Sequence, residues 1–565
     1  MDIKKNDELI LTIDDMGKDG EGIGRVDGYA LFVRGALTGE TVRVVVMKTK
    51  KQYGFARLIE GLEPSSHRLT PLCPVAGPCG GCTLQHMDYA GQLAFKEKKV
   101  RDCLTRIAGV DPGQVEWLPI LGMDDNVGDL AKGGQPVGPW HYRNKAQFPV
   151  RRGEDGLPVT GFFAGHSHRL VSTAECRIQH PVINETVDVI MNFLRQYRVS
   201  AYDEDKHEGL VRHIYVRRGY HSGQVMVCLV INGFSLPSEP ELVEALQLVE
   251  GMTSIYINSN TERTNVILGA KMKLIWGDAA IEDRIGDVRY RISPQSFYQV
   301  NPMQTEKLYR TALEFADLQG GETVWDLYCG IGTISLFLAS QVSPEKGGRV
   351  IGVEIVPEAV ENAKVNAELN GIANAEFFCG AAEEVAASLI PEEEMQADVV
   401  VVDPPRKGCD GKLLDTIAGM RPEKIVYVSC DPATLARDVK VLGEKGYEVK
   451  RVRACDMFPQ GGHVETVVLL SKHKNTKHIT IDLQLDELDV TSAEAKPTYP
   501  KIKKYIMDKY GVKLHSKDIA ETKRKYGLIE RKNYNISKKE HPIVRHCTKE
   551  KEKLIVEALK HYKAI

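Results

Sequence analysis

Apolar and polar residues alternate with a period of two through LILTI, YALFV, TVRVVVM and GFARLIE, all within residues 3 to 61. Gly17, Gly20, Gly22, Gly24 and Gly28 interrupt these runs, and no helical period competes with them. Short strands punctuated by glycine predict a small OB-like β-barrel over residues 1 to 62. Lys48, Lys50, Lys51 and Arg57 give it one basic edge, a feature of barrels that hold single-stranded nucleic acid.

The period then changes. QLAFKEKKVRDCLTRIA, residues 92 to 108, carries Leu93, Val100, Leu104 and Ile107 on one face and predicts an amphipathic helix that packs on a later domain. Residues 121 to 139 are glycine-rich and predict a loop. From Tyr142 to about Arg291 the runs QFPV, LPVTGFF, RHIYVRR, QVMVCLVI, TSIYIN and VRYRIS predict a largely antiparallel sheet. Arg143, Arg151, Arg152, Arg177, Arg212, Arg217 and Arg218 interleave there with His141, Tyr142 and His213, a mixture suited to phosphates and stacked bases.

From Thr323 each strand-like run (TVWDLYC, VIGVE, AEFFC, DVVVVD, KIVYVSC) precedes a helical stretch, before YEVKRVRA and HVETVVLL close the series near Ser471. That alternation predicts a doubly wound, Rossmann-like α/β domain, with ligands beyond the carboxyl ends of its strands. The expected organisation is thus a barrel over 1–62, a β-rich region over 63–293, an α/β domain over 294–471, a linker over 472–495 and basic helices over 496–565. In the last, Ile502, Tyr505, Ile506 and Tyr510 supply the apolar spacing.

Composition refines this picture. A chain of 565 residues, 27% charged and 42% hydrophobic, suits a multidomain soluble protein. No run approaches the roughly 18 apolar residues of a membrane span, and MDIKKNDELI lacks a signal-peptide core, so a cytoplasmic protein with no membrane partner is expected. The net charge of -3 conceals an asymmetry: residues 496 to 565 hold 20 Lys and Arg against 8 Asp and Glu, whereas the preceding chain holds 54 against 69. The basic end suits a polyanion.

Twelve cysteines in a reducing compartment need no disulfide framework. Cys103, Cys228, Cys329, Cys379, Cys409, Cys455 and Cys547 are scattered like small buried hydrophobes. The run CPVAGPCGGC, with Cys73, Cys79 and Cys82, and Cys430 in VYVSCDPATLARD stand apart.

The first α/β strand runs into Asp326-Leu-Tyr-Cys-Gly-Ile-Gly-Thr333, placing Gly330 and Gly332 where backbone can approach a ligand closely. The second ends at Glu354, where a carboxylate would accept hydrogen bonds from a ribose diol. The absent third glycine of a dinucleotide motif favours S-adenosylmethionine, which has no pyrophosphate to cradle. The fourth strand ends in Asp403-Pro-Pro-Arg406-Lys-Gly, which holds a carboxylate at the pocket mouth, and the fifth in Ser429-Cys430-Asp431-Pro432. A cysteine between a strand end and a helix start is placed for thiolate formation by the helix field. Beside a methyl donor, a thiolate that adds to carbon 6 of uracil turns carbon 5 into a nucleophile. Glu465, in the apolar strand HVETVV, is the candidate base for the carbon 5 proton, with a pKa raised by its surroundings.

Together SFYQVNPMQTEKLY, DLYCGIGT, GVE, DPPRKG, VSCDPATLARD and GGHVETVVLL resemble the bacterial 23S ribosomal RNA (uracil-5-)-methyltransferases and their transfer RNA relatives, over about residues 3 to 471. The resemblance implies that Cys430 is the nucleophile, that Glu465 is the base, and that Gln299, Tyr328, Glu354 and Asp403 line the S-adenosylmethionine site with Thr333. It implies a TRAM domain for the barrel and 23S ribosomal RNA as partner. Cys73, Cys79, Cys82 and Cys176 look like that branch's four-thiolate site; ligand count alone suits zinc or a 4Fe-4S cluster, and the resemblance implies the cluster, in a structural role. No obligate protein partner is implied, and a monomer is expected. Rival readings are cytosine carbon 5 methylation, an amino-methyltransferase (disfavoured by Arg406 where an aromatic residue would stack the base), radical chemistry, and a non-catalytic RNA-binding or ribosome-assembly factor.

Overall fold

The computed structural model describes residues 3–123, 139–165, 167–173, 175–389, 397–473, 499–526 and 547–561. The expected loop at 121–139 and linker at 472–495 fall almost wholly outside these. Two compact units are present, residues 1–476 and 477–565. No described helix is long and apolar enough to cross a membrane.

Five strands, Glu8–Met16, Gly22–Val26, Tyr29–Arg34, Thr41–Thr49 and Tyr53–Glu63, close into a barrel around Leu11, Ile13, Leu31, Val33, Val42, Val44 and Val46. Alternation along each strand sends these side chains inward, and glycines allow the closure. A Cβ at Gly24 would lie 2.0 Å from Leu11 Cδ1 and 2.8 Å from the Thr12 carbonyl.

A seven-stranded sheet follows, in the order Lys271–Gly277, Met252–Ser259, Val225–Ile231, Val211–Arg218, Lys145–Arg152, Pro158–Phe163, Leu170–Ser172. It is antiparallel except between Val225–Ile231 and Met252–Ser259, which the helix Glu239–Gln247 connects. Helix Pro181–Gln196 buries Ile183, Val187, Ile190 and Leu194 against one face. The run VRYRIS does not join this sheet. Val288–Ile292 pairs with Ile281–Ile285 in a separate hairpin, whose Tyr290 is buried with the α/β core.

The α/β sheet has eight strands, in the order Ala375–Cys379, Arg349–Glu354, Thr323–Asp326, Val399–Val402, Lys424–Ser429, Glu465–Lys472, Tyr447–Cys455, Glu116–Leu121. The first five are parallel, and Glu465–Lys472 runs antiparallel to both its neighbours. The edge strand Glu116–Leu121, inside the region assigned from sequence to 63–293, pairs in parallel with Tyr447–Cys455 and covers its open edge. Helix Tyr89–Arg106 sends Val100 and Leu104 into the core on one face of this sheet, whereas Ile107, expected on the same apolar face, lies past the helix end and is exposed.

The second unit has helices Tyr499–Tyr510, Ser516–Lys525 and Lys549–His561 around Ile502, Ile506, Leu514, Ile519, Ile555, Ala558 and Leu559.

Candidate active site

Strand order reverses between Thr323–Asp326 and Val399–Val402, opening a crevice at their carboxyl ends. Asp326 ends the first strand fully buried and accepts a hydrogen bond from Ser335 Oγ at 2.6 Å. The chain then turns through Gly330 (φ 55°) and Gly332 (φ 82°) into helix Thr333–Ala339. A Cβ at Gly332 would sit 3.2 Å from Phe377, whereas one at Gly330 would meet nothing within 4 Å. Gly330 therefore borders open space, the cradle a bound nucleoside would fill. Glu354 stands at its rim and accepts from Gly330 N at 3.2 Å and Val356 N at 2.9 Å.

The catalytic candidates meet through strand register. Glu465–Lys472 runs antiparallel to Lys424–Ser429 with Ser429 opposite Thr466, so the next step of the ladder sets Cys430 against Glu465. Glu465 is buried, and desolvation with the nearby Asp403 holds its carboxyl far above the usual range. Asp403 is raised in turn by burial and by Asp326, and Asp326 reaches about 6 through burial and Glu354. Glu354, Asp326, Asp403 and Glu465 thus gather four interacting carboxyl groups at one end of the sheet.

Cys430 departs from the sequence expectation. The following residue, Asp431, does cap the helix Pro432–Glu444, accepting from Ala433 N and Thr434 N. Burial together with Glu465 and Asp403 nonetheless pushes the thiol up to about 12, and Arg406 is the cation that opposes this. Desolvation and two neighbouring carboxyl groups therefore act against the thiolate expected at this helix start.

The turn bearing Asp403 and Arg406 is clamped from that same helix. Thr434 Oγ1 donates to the Arg406 carbonyl at 3.2 Å, and Arg437 Nη2 donates to the Lys407 and Cys409 carbonyls at 2.9 and 3.0 Å. Buried Asp438 accepts from Cys409 N at 2.8 Å and from the Tyr427 hydroxyl at 2.7 Å.

The remaining cofactor candidates divide. Thr333 Oγ1 accepts from the Tyr309 hydroxyl at 2.9 Å, and Tyr309 itself feels Asp403, Asp326 and Glu465. Tyr328 is half-buried, two residues after Asp326. Gln299 lines a cavity of about 310 Å³ with Arg143, Lys145, Arg217, Phe297 and Phe458, which none of Tyr328, Glu354 or Asp403 lines.

Cys73, Cys79, Cys82 and Cys176 line one cavity of about 290 Å³ with Gln85 and Arg143. Burial and their mutual proximity raise the thiols of Cys79, Cys82 and Cys176. Among the described residues no three Cys, His, Asp or Glu side chains converge on one point as a single metal ion requires.

Sequence reasoning missed two features. The loop 456–462 before Glu465 is a hub: Lys96 and Asp456 form a wholly buried ion pair, Lys96 Nζ also donates to the Phe458 carbonyl, and Gln304 Nε2 donates to the Asp456 carbonyl. Gln460 exchanges hydrogen bonds with Gln92, and its carbonyl accepts from Thr83 N and Leu84 N beside the cysteine run. On the barrel, Phe32, Tyr53 and Phe55 cluster with ring centroids 5.6 to 5.8 Å apart, next to Lys48, Lys51 and Arg57. Aromatic residues within YALFV and GFARLIE were the available signal.

Several arginines expected on the RNA face hold the fold instead. Arg212 is buried and donates to the carbonyls of Asn260, Glu262 and Thr264, and Arg217 is buried and donates to those of Ser293 and Ser296. Tyr142 is buried with its hydroxyl on the Pro459 carbonyl, and burial beside Arg151 and Arg212 lowers His213 to about 4. Arg152 and Arg177 remain exposed.

Residues 138–473 match the tRNA (Uracil-5-)-methyltransferase family, and residues 4–59 match the TRAM domain. An uncharacterized RNA methyltransferase of Halalkalibacterium halodurans is 48% identical over 469 residues, 83% of this chain and 98% of its own. One from Clostridium tetani is 45% identical over 476 residues, 84% and 98% of the two chains. Among solved structures, the Pyrococcus abyssi tRNA (uracil-54, C5)-methyltransferase in complex with S-adenosyl-L-homocysteine is similar at 28% identity and a TM-score of 0.63, covering 82% of this chain and 100% of that one.

Proposed function

The chain belongs to the tRNA (uracil-5-)-methyltransferase family, and on that premise we propose that it moves a methyl group from S-adenosylmethionine to carbon 5 of a uridine in 23S ribosomal RNA. The observation that carries the reading is the antiparallel register that brings Cys430 and Glu465 together beside Asp403.

The methyl donor is a sulfonium cation, and the carboxyl groups gathered at Glu354, Asp326, Asp403 and Glu465 favour a cation, whose charge in turn relieves their mutual repulsion, over a dinucleotide's pyrophosphate. Glu354 bonds the ribose, and the backbone at Gly330 lies against the nucleoside. Tyr328 and Thr333 complete this pocket in the proposal, while Gln299 faces a cavity that none of Tyr328, Glu354 or Asp403 lines.

Cys430, as thiolate, adds to carbon 6 of the flipped-out uracil, and the resulting enolate carries its electron pair on carbon 5. Carbon 5 takes the methyl group as the sulfonium carbon-sulfur bond breaks, leaving a neutral thioether. Glu465 then removes the carbon 5 proton, the double bond re-forms, and the bond from carbon 6 to Cys430 breaks. Arg406, at the mouth, is the cation that favours the thiolate form of Cys430.

Cys73, Cys79, Cys82 and Cys176 hold an iron-sulfur cluster in this reading, because four thiols spread around one cavity suit a multi-iron group better than one ion. Such a group would tie the 73–82 loop to the segment at Cys176. The barrel's Phe32, Tyr53 and Phe55 with adjoining lysines offer stacking and charge to single-stranded RNA.

Transfer RNA is the second reading, favoured by the similarity to the archaeal tRNA enzyme. The test is incubation with labelled S-adenosylmethionine and unmodified 23S ribosomal RNA or transfer RNA transcripts, followed by nucleoside mass analysis. 5-Methyluridine in ribosomal RNA supports the proposal, in transfer RNA alone moves the substrate, and 5-methylcytidine or no product overturns the reaction. Cys430→Ala should abolish turnover and covalent capture of 5-fluorouridine RNA while retaining cofactor binding.

A further inference from the structure

We propose that the C-terminal helical unit carries an RNA-binding surface of its own, built on a stripe of lysines along its last helix. The family match ends at residue 473, and relatives covered over 98% of their own length match only 83% of this chain, so this unit is extra to them.

Its charges are sorted by the fold. Four of the six described acids are used internally: Glu557 pairs with Lys509 and accepts from Tyr510, Glu552 pairs with Lys525, Asp518 faces Lys551, and Glu521 accepts from Cys547 N, while Asp508 and Glu550 are exposed. Lys549, Lys553 and Lys560 point the other way. They lie four and seven residues apart on helix Lys549–His561, one stripe on the face opposite buried Ile555, Ala558 and Leu559. All three are exposed, and among the described residues they make no ion pair, as is also true of exposed Lys504 and Lys513.

Charge favours such a surface. Residues 1 to 495 carry 54 Lys and Arg against 69 Asp and Glu, so the portion holding the active site has the sign of RNA and repels it at long range. Residues 496 to 565, with 20 against 8, supply the opposite sign. Phosphate neutralisation by lysine is largely sequence-independent, so this unit raises capture and residence on RNA and leaves base choice to the crevice.

The proposal rests on RNA being the substrate, and its test separates binding from transfer. The full chain and the triple variant Lys549→Gln, Lys553→Gln, Lys560→Gln are titrated without cofactor onto 23S ribosomal RNA and transfer RNA transcripts over a range of salt. Loss of three phosphate contacts should weaken binding roughly 10- to 30-fold near physiological salt and flatten the salt dependence by about two to three ions. The triple Lys→Arg variant should bind as the parent does, which guards against misfolding. Unchanged affinity and salt slope for the Gln variant on both RNAs would overturn the proposal. Salt-dependent loss of binding in a chain that transfers no methyl group would sink the reaction above and leave this surface standing.

Discussion

The backbone N–H of Gly330 donates to the Glu354 carboxylate at 3.2 Å, tying the turn after the first α/β strand to the acid at the end of the second. The turn and its acid are therefore a preformed unit, with open space beyond Gly330. Gly330→Ala should cost about 1–2 kcal/mol of stability, because alanine resists the positive φ, while weakening S-adenosylhomocysteine at least about tenfold by filling the cradle. Gly332→Ala, whose Cβ meets Phe377 and Ala363, should lose more stability. Paired calorimetry and thermal melts distinguish the two; equal ligand affinity in Gly330→Ala and the parent would refute the cradle.

Glu465→Gln keeps the size and polarity of the side chain and removes the base. Addition and methyl transfer should proceed while release stalls, so a covalent RNA complex carrying the methyl group accumulates. Denaturing gels with labelled cofactor read this directly. Rapid turnover without accumulated complex would assign the proton to another group.

The pH dependence follows from signs. Cys430 and Glu465 are both shifted upward by burial and by neighbouring carboxylates, and both act only when deprotonated. kcat/KM should therefore climb through pH 7 to 9. Arg406 lowers both groups. Arg406→Gln should move the rise to higher pH and cost about tenfold in kcat/KM at pH 7.5 for each unit of displacement. A pH profile unmoved by the substitution would remove Arg406 from this role.

Lys96 and Asp456 are both wholly buried. Lys96→Met strands the carboxylate and should cost about 3–5 kcal/mol, and adding Asp456→Leu should restore most of it. Urea midpoints measure both. Because Asp456 begins the loop that leads to Glu465, the single variant should also lose kcat at temperatures where it remains folded.

Much of this architecture was legible because local periodicity is a local property. The barrel runs, the strand-then-helix rhythm from Thr323 and the DLYCGIG turn each announce themselves within ten residues. The unreadable parts are long-range. EWLPIL carries a proline and a charge, and only its distant partner Tyr447–Cys455 makes it a strand. The buried partners of Arg212 and Arg217 lie about 50 to 80 residues away, so composition suggested an RNA face where the fold uses carbonyl anchors. The acidity of Cys430 depends on Asp403 and Glu465, and no reading of VSCDPATL alone could supply them.

The edge strand Glu116–Leu121 gives the order of assembly a shape of its own. It is made more than 300 residues before the strand it pairs with, and the seven-stranded sheet is encoded between them. On the ribosome the helix and strand 89–121 must therefore wait, apolar face uncovered, until residue 455 has emerged, a high-contact-order closure of the kind that folds slowly. Dissecting the catalytic half by a single cut near residue 294 would discard its own edge strand, so an autonomous catalytic fragment has to be assembled from two stretches of chain.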